Sequence, residues 1–206
     1  MTWKNLVSEL IKTGILKTPN IIQAFTKVDR ANFMPNGMQH IAATDSALPI
    51  GYGQTISQPT TVAFMLEKLQ PKVGNKVLDI GFGSGWTSAL LAELVGKNGQ
   101  VFSIEIIEKI YHFGKSNLEN IGYKNINFFL GSGSEGLLKF APYDRILVSA
   151  AANQIPLNFK KQLDVGGRLI IPIGDISQSL ILIERKTKNQ FSEEHYPGFM
   201  FVRLKD

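Results

Sequence analysis

The stretch KVLDIGFGSGW (76–86) decides the fold. Its first five residues form a short apolar run ending near an acid, Asp79, which reads as a buried strand, and Thr87 opens a segment with helical spacing. Between the two, Gly81, Gly83 and Gly85 let the backbone turn tightly and approach a ligand closely. A strand, a glycine turn and a helix in that order mark the place where a doubly wound sheet binds nucleotides. The spacing excludes the dinucleotide version of that site. Dinucleotide loops run G-x-G-x-x-G, whereas here the third glycine comes one residue early and Trp86 takes the sixth position, where its bulk obstructs helix packing and pyrophosphate approach.

Outward from this stretch, apolar runs alternate with helical segments: QVFSIE (100–105), INFFL (126–130), RILVSA (145–150) and RLIIPI (168–173) as strands, with helices expected near 87–95, 106–121, 134–140 and 156–162. Alternation of this kind implies right-handed crossovers and a parallel sheet covered on both faces. SLILIERK (179–186) and GFMFVRL (198–204) leave no room for a helix between them, so they are expected to form an antiparallel edge hairpin. The fold class is therefore α/β: a doubly wound, mostly parallel seven-stranded sheet.

Ahead of this core, Trp3, Leu6, Val7, Leu10 and Ile11 recur at helical spacing, and Thr18-Pro19 opens a second helix carrying Ile21, Ile22, Phe25 and Val28. Pro59 to Leu69 reads as a further helix. From Asn32 to Ser57 no period holds, and Pro35, Gly37, Pro49, Gly51 and Gly53 punctuate a long irregular segment. A loop of that length inside a compact chain is more often functional than accidental. We expect one domain over 1–206, with N-terminal helices and a substrate and cofactor loop over 1–58 and a Rossmann-like core over 59–206.

Composition removes several classes of function. The chain has no cysteine, so disulfides, thiolate metal sites and a cysteine nucleophile are excluded. Charges interrupt the apolar pattern of the N-terminus and no window has the length of a membrane span, so a soluble cytoplasmic protein without a membrane partner is expected. The net charge of +5 is spread along the chain rather than gathered into a strip with interleaved aromatics, so nucleic acid is not expected as the main partner. His40, His112 and His195 share no metal-binding spacing, and no acidic cluster follows the fourth strand.

The G-x-G-x-G loop with an acid at the strand end resembles the S-adenosyl-L-methionine loop of class I methyltransferases. That resemblance implies that Gly81, Gly83, Ser84 and Gly85 bind the cofactor and that Asp79 faces its amino-acid end. Glu105, at the end of the next strand, is placed for the ribose hydroxyls by the geometry of dinucleotide folds. The segment SAAANQIP (149–156) lacks the D/N-P-P-Y/F device that grips a flat amine. A small, mostly neutral pocket suits an acceptor that brings its own nucleophile: a carboxylate is already ionised at neutral pH and needs alignment and exclusion of water rather than a general base.

Four segments in order, DSALPIGYGQTISQPTTVAFM (45–65), LDIGFGSGW (78–86), APYDRILVSAAANQIP (141–156) and QLDVGGRLIIPIG (162–174), resemble the protein-L-isoaspartate O-methyltransferase family. WK…SELIKTGILKT…VDRANF (3–33) and FVRL (201–204) extend the likeness over nearly the whole chain. It implies methylation of the carboxylate of isoaspartyl residues in damaged proteins or peptides, with return toward aspartate through a succinimide, by a monomeric enzyme whose product is S-adenosyl-L-homocysteine. Ser57 matches the family's active-site serine, and the resemblance implies that Thr55, Ile56 and Ser57 line the cofactor side while Ile56, Ala150, Ala151 and Ala152 shape the peptide slot. Ser57 also stands where a residue could cap the helix beginning at Pro59.

Gly131 and Ser132 fall where the family contacts adenine, but Ser132 replaces an aspartate; loss of a charge-assisted bond there is worth on the order of 1 kcal/mol. Phe82 replaces a small hydroxyl residue, Arg203 a proline and Ala43 an aromatic. Two other readings remain open at this point: a methyltransferase that converts a normal aspartate to aspartimide in peptide maturation, and a non-catalytic module that holds S-adenosylmethionine or damaged peptides.

Overall fold

A computed structural model describes all residues from Met1 to Asp206. Fifteen helices and strands make up the chain: α1 (Trp3–Lys12), α2 (Pro19–Lys27), β1 (Leu48–Gly51), β2 (Gln54–Ile56), α3 (Pro59–Leu69), β3 (Lys76–Ile80), α4 (Trp86–Val95), β4 (Gln100–Glu105), α5 (Glu108–Ile121), β5 (Ile126–Leu130), β6 (Tyr143–Val148), α6 (Leu157–Gln162), β7 (Leu163–Gly174), β8 (Gln178–Arg185) and β9 (Phe191–Phe199). The seven strands from β3 onward form one sheet in the order β5-β4-β3-β6-β7-β8-β9. Strands β3 to β7 pair in parallel, and β8 and β9 close the edge antiparallel. The strand order reverses between β3 and β6, which opens the crevice at their carboxyl ends where doubly wound sheets take ligands.

Packing explains why the central elements form. Val77, Leu78 and Ile80 of β3 are buried, as are Ile146, Leu147 and Val148 of β6, because helices cover both faces of the sheet. Helix α4 is apolar almost all round and nearly every residue is buried: one side lies on the sheet and the other meets α2. There Trp3, Phe25 and Trp86 pack ring against ring, with Trp3 stacked on Phe25 and Trp86 edge-on to both, and Trp3 Nε1 donates to the Phe25 carbonyl at 2.8 Å. The N-terminal helices are thereby joined to the first turn of the helix that follows the glycine loop.

Expectation and structure part at three places. The irregular segment contains an antiparallel hairpin, β1 with β2, bulged between Pro49 and Gly51. Its turn places Tyr52 and Gly53 at positive φ. A helix over 134–140 is replaced by a single 3-10 turn at Leu138–Phe140. The edge hairpin's second strand lies earlier than the apolar run suggested: β9 spans Phe191–Phe199, while 200–206 runs without strand pairing apart from a bridge of Arg203 to Ala151. Backbone pairing to β8 fixes β9, whose own side chains are largely polar. Asp144, at the foot of β6, accepts from the Lys76 amide at 2.7 Å and so ties two strand starts together.

Candidate active site

The glycine turn closes on itself and on α5. The Gly85 amide donates to the Phe82 carbonyl at 2.8 Å, and Gly81, Gly83 and Gly85 all take positive φ. Phe82 packs against Tyr111 and Phe128, so the position where the family carries a small hydroxyl residue is filled by a ring turned into the core.

Two carboxylates flank this turn. Glu105, only 6% exposed, accepts from the Ile106 and Ile107 amides at 2.9 and 3.0 Å through Oε1 and from the Gly83 amide at 3.2 Å through Oε2. Three donors occupy three of about four lone-pair positions of a carboxylate, leaving acceptor capacity toward the cleft. Asp79 is fully buried below the loop. Its Oδ2 accepts from Thr87 at 2.9 Å and Ser88 at 2.6 Å, and Ser88 in turn shares a hydrogen bond with Ser103. Its Oδ1 has no partner. Burial first, and then repulsion from Glu105, push the Asp79 carboxyl up to about 6 against the pull of the Ser88 and Thr87 hydroxyls.

Across the cleft, β2 carries Thr55 and Ile56 and leads into Ser57. Behind it lies Arg30, completely buried. The Arg30 guanidinium donates to the carbonyls of Ala42, Thr44, Ser46, Ile56 and Ser57 and lies 5.5 Å from the centre of the Trp86 ring. Asp45 secures the next turn by accepting from the Thr60 amide and hydroxyl. Helix α3 starts with Gln58 as its cap residue, so Ser57 is not spent on capping.

These walls enclose a cavity of about 720 Å³, within the range of small-molecule sites. Of the residues singled out in the sequence, Thr55, Ile56, Ser57, Gly81, Gly83, Ser84, Glu105 and Ala150 line it together. Asp79 lies beneath the loop. Gly85 faces α5 instead: a Cβ there would stand 2.8 Å from Leu118. Ser132 is exposed, its hydroxyl bonded to Ser134, and neither it nor Gly131 lines the cavity, whereas Gly133 does. Ala151 and Ala152 line a neighbouring cavity that shares Arg203 and Leu204 with the first.

Sequence reasoning missed Arg30, Gly133 and the wall formed by Gly198 to Lys205. Gly133 was legible in principle, as the third residue of a loop after β5. Its Cβ would stand 2.5 Å from Ile80, so only glycine lets this loop close over the strand ends.

The sequence pattern of the family described as protein-L-isoaspartate(D-aspartate) O-methyltransferase (PCMT) matches residues 1–206. The chain belongs to this family. A protein-L-isoaspartate O-methyltransferase of Methanothermobacter thermautotrophicus is 40% identical over 203 residues, covering 98% of this chain and 94% of its own. One from Pyrococcus horikoshii is 42% identical over 204 residues, covering 98% and 92%. Among solved structures, a protein-L-isoaspartate O-methyltransferase from Plasmodium falciparum, described as putative and in complex with S-adenosyl-L-homocysteine, superposes with a TM-score of 0.89 at 25% identity, covering 100% of this chain and 99% of that one.

As a member of this methyltransferase family, the chain takes S-adenosylmethionine as cofactor, and the residues present fit it. A glycine turn brings backbone close to the cleft, Glu105 keeps acceptor capacity for a diol, and Asp79 Oδ1 is a buried acceptor lacking a donor. The cofactor family, the fold and the enzyme class expected from the sequence all stand.

Proposed function

We propose that this protein methylates the free side-chain carboxylate of L-isoaspartyl residues in proteins or peptides, and that Ser57 is the residue that aims it. The observation carrying this reading is that the Thr55–Ser57 wall and the glycine-loop wall face one cleft whose lining contains one carboxylate, Glu105, and no histidine. A site without a base on the acceptor side suits a nucleophile that is already ionised. S-adenosylmethionine, when bound, supplies an electrophilic methyl group. The cleft side of the glycine turn and Glu105 would hold the donor's polar groups, with the Asp79 carboxylate beneath the turn supplying negative charge. The Ser57 hydroxyl donates to one oxygen of the acceptor carboxylate and leaves the other directed toward the glycine-loop wall. Ile56 and Ala150, both buried, keep water from competing for that oxygen. In the released ester the following backbone amide nitrogen attacks the ester carbonyl, its proton leaving with the methoxide as methanol, and water then hydrolyses the succinimide to aspartate or back to isoaspartate.

Offering paired peptides that differ only in isoaspartate against aspartate, and following methyl ester formation, tests the acceptor. Transfer to the isoaspartyl member is expected. Transfer only to the normal member would assign the protein to aspartimide formation in peptide maturation, and cofactor binding without transfer to either would make it a binding module.

The whole chain is proposed to work as one domain, because one buried apolar cluster includes side chains from Trp3 through to Leu182. No helix is long and apolar enough to cross a membrane. A monomer acting in the cytoplasm is proposed on the family resemblance, and nucleic acid is not proposed as a partner because the lysines form no strip.

A further inference from the structure

Arg30 is a cation buried without a carboxylate in contact. Nη1 donates to the Ala42 and Thr44 carbonyls at 2.9 and 3.1 Å, and Nη2 to those of Ser46, Ile56 and Ser57 at 2.9, 3.3 and 3.0 Å, while Nε has no partner. Taking a guanidinium out of water is expensive, and carbonyl dipoles with an aromatic face offset that only in part. Burial lowers its pKa to about 10, with the Asp45 charge opposing, so it remains cationic at neutral pH. A scaffold needing only a filled space would be served by an apolar side chain of similar volume. The acceptors show what the charge accomplishes. The Ile56 carbonyl belongs to the peptide plane before Ser57 and the Ser57 carbonyl to the plane after it. A single nitrogen therefore pins both planes that set the direction of the Ser57 side chain, and the same group, through Nη1, holds the 42–44 backbone from the other side.

We propose that Arg30 is a positioning residue for the methyl transfer, fixing the Ser57 hydroxyl against the acceptor carboxylate by clamping the peptide planes on either side of it. This rests on the role given to Ser57 above. Misplacing a reacting group by about 1 Å can lower turnover on the order of 100-fold, so a clamp at this position affects turnover rather than donor binding. Arg30 makes no hydrogen bond to the 81–85 turn, Asp79 or Glu105.

The test is a double-mutant cycle in the full chain, using Arg30→Lys, Ser57→Ala and both together, with turnover on an isoaspartyl peptide and calorimetric affinity for S-adenosylhomocysteine. Ser57→Ala is expected to lower kcat about 100-fold and Arg30→Lys about 10-fold, with cofactor affinity within about threefold of the parent. In the Ser57→Ala background, adding Arg30→Lys is expected to lower kcat by less than about twofold, because the hydroxyl it positions is gone. Wild-type turnover in Arg30→Lys, or a full second loss in the double variant, would overturn the proposal while leaving Ser57 in its role. Undiminished turnover in Ser57→Ala would overturn both.

Should Arg30→Lys not fold, wild-type protein labelled with ¹⁵N-arginine decides the matter. The Arg30 Nη resonances must shift when the isoaspartyl peptide joins the S-adenosylhomocysteine complex, and must stay in place with the aspartyl peptide. No shift with the isoaspartyl peptide overturns the clamp.

Discussion

At Asp79 the two oxygens of one carboxylate are treated unequally: Oδ2 accepts two hydroxyl donors and Oδ1 none. Burial raises its pKa to about 6, above the ordinary aspartate range, so it is largely protonated at pH 5 and ionised at pH 7.5. The cationic amino group of a cofactor in the cleft above favours the ionised form, so cofactor binding near pH 6 is expected to release a proton. The measurement is calorimetry in buffers of different ionisation enthalpy: wild type should show buffer-dependent heat at pH 6 and affinity that weakens as pH falls to 5, and Asp79→Asn should show neither. Buffer-independent heat in wild type would show that the cofactor's charge does not reach Asp79. The same shift acts on stability with a definite sign. Because the folded pKa is raised, the relative stability present below about pH 4 is lost as pH rises through about 6, a loss of about 3 kcal/mol for two pH units. Apo Asp79→Asn should therefore melt above wild type at pH 7.5 and close to it at pH 4.

The contact of the glycine turn with α5 shows how elements, rather than single residues, hold the site. A Cβ on Gly114 would stand 2.2 Å from the Gly83 carbonyl oxygen, and one on Gly85 would meet the Gly114 carbonyl at 2.9 Å. Turn and helix thus meet through glycine on both sides, and Asn117 of α5 donates to the Ser84 carbonyl at 3.0 Å. Gly114→Ala is expected to destabilise the fold by about 1–3 kcal/mol and to weaken cofactor binding, because backbone rather than a flexible side chain must give way. Denaturant unfolding and a cofactor titration on one preparation check this; unchanged affinity would show that the turn is held without α5. The turn itself was legible because glycine spacing between a buried strand and a helix is a local signal, and β3 and β4 were legible because strands covered on both faces read as short apolar runs. Strand β9 was not, since FSEEHYPGF acquires its pairing from β8 and not from its own pattern. The hairpin of β1 and β2 hid behind Pro49, Gly51 and Gly53, whose positions argue for a turn but not for strands beside it. Arg30 was illegible for a stronger reason: its acceptors lie 12 to 27 residues away, and nothing local distinguishes a buried arginine from an exposed one.

At the scale of the whole molecule, the cleft is assembled from segments that lie far apart in the chain, from Gln54–Ser57 through the glycine turn and Glu105 to Phe201–Lys205. The last of these is held by backbone and amide contacts: the Ala151 amide donates to the Val202 carbonyl and the Leu204 amide to the Ala151 carbonyl, both at 2.8 Å, and Gln178 both donates to and accepts from the backbone of Phe201. Arg203 adds an ion pair with Asp175, but both side chains are well exposed, so that pair contributes little. A ligand in this cleft joins segments that otherwise meet through a few hydrogen bonds, and it must stabilise the folded state by mass action. At about 100 times its dissociation constant the gain is about 2.7 kcal/mol, which for a chain of this size raises Tm by roughly 5–10 °C. S-adenosylhomocysteine is therefore expected to raise the melting temperature by that amount in wild type. Removing residues 201–206 takes away one wall and leaves the sheet and its covering helices in place. The truncated chain should still melt cooperatively, and much of the ligand-induced rise should be gone at the same ligand concentration. A full rise in the truncated chain would show that the ligand is held by the glycine-turn side alone and that the final segment serves the peptide acceptor instead.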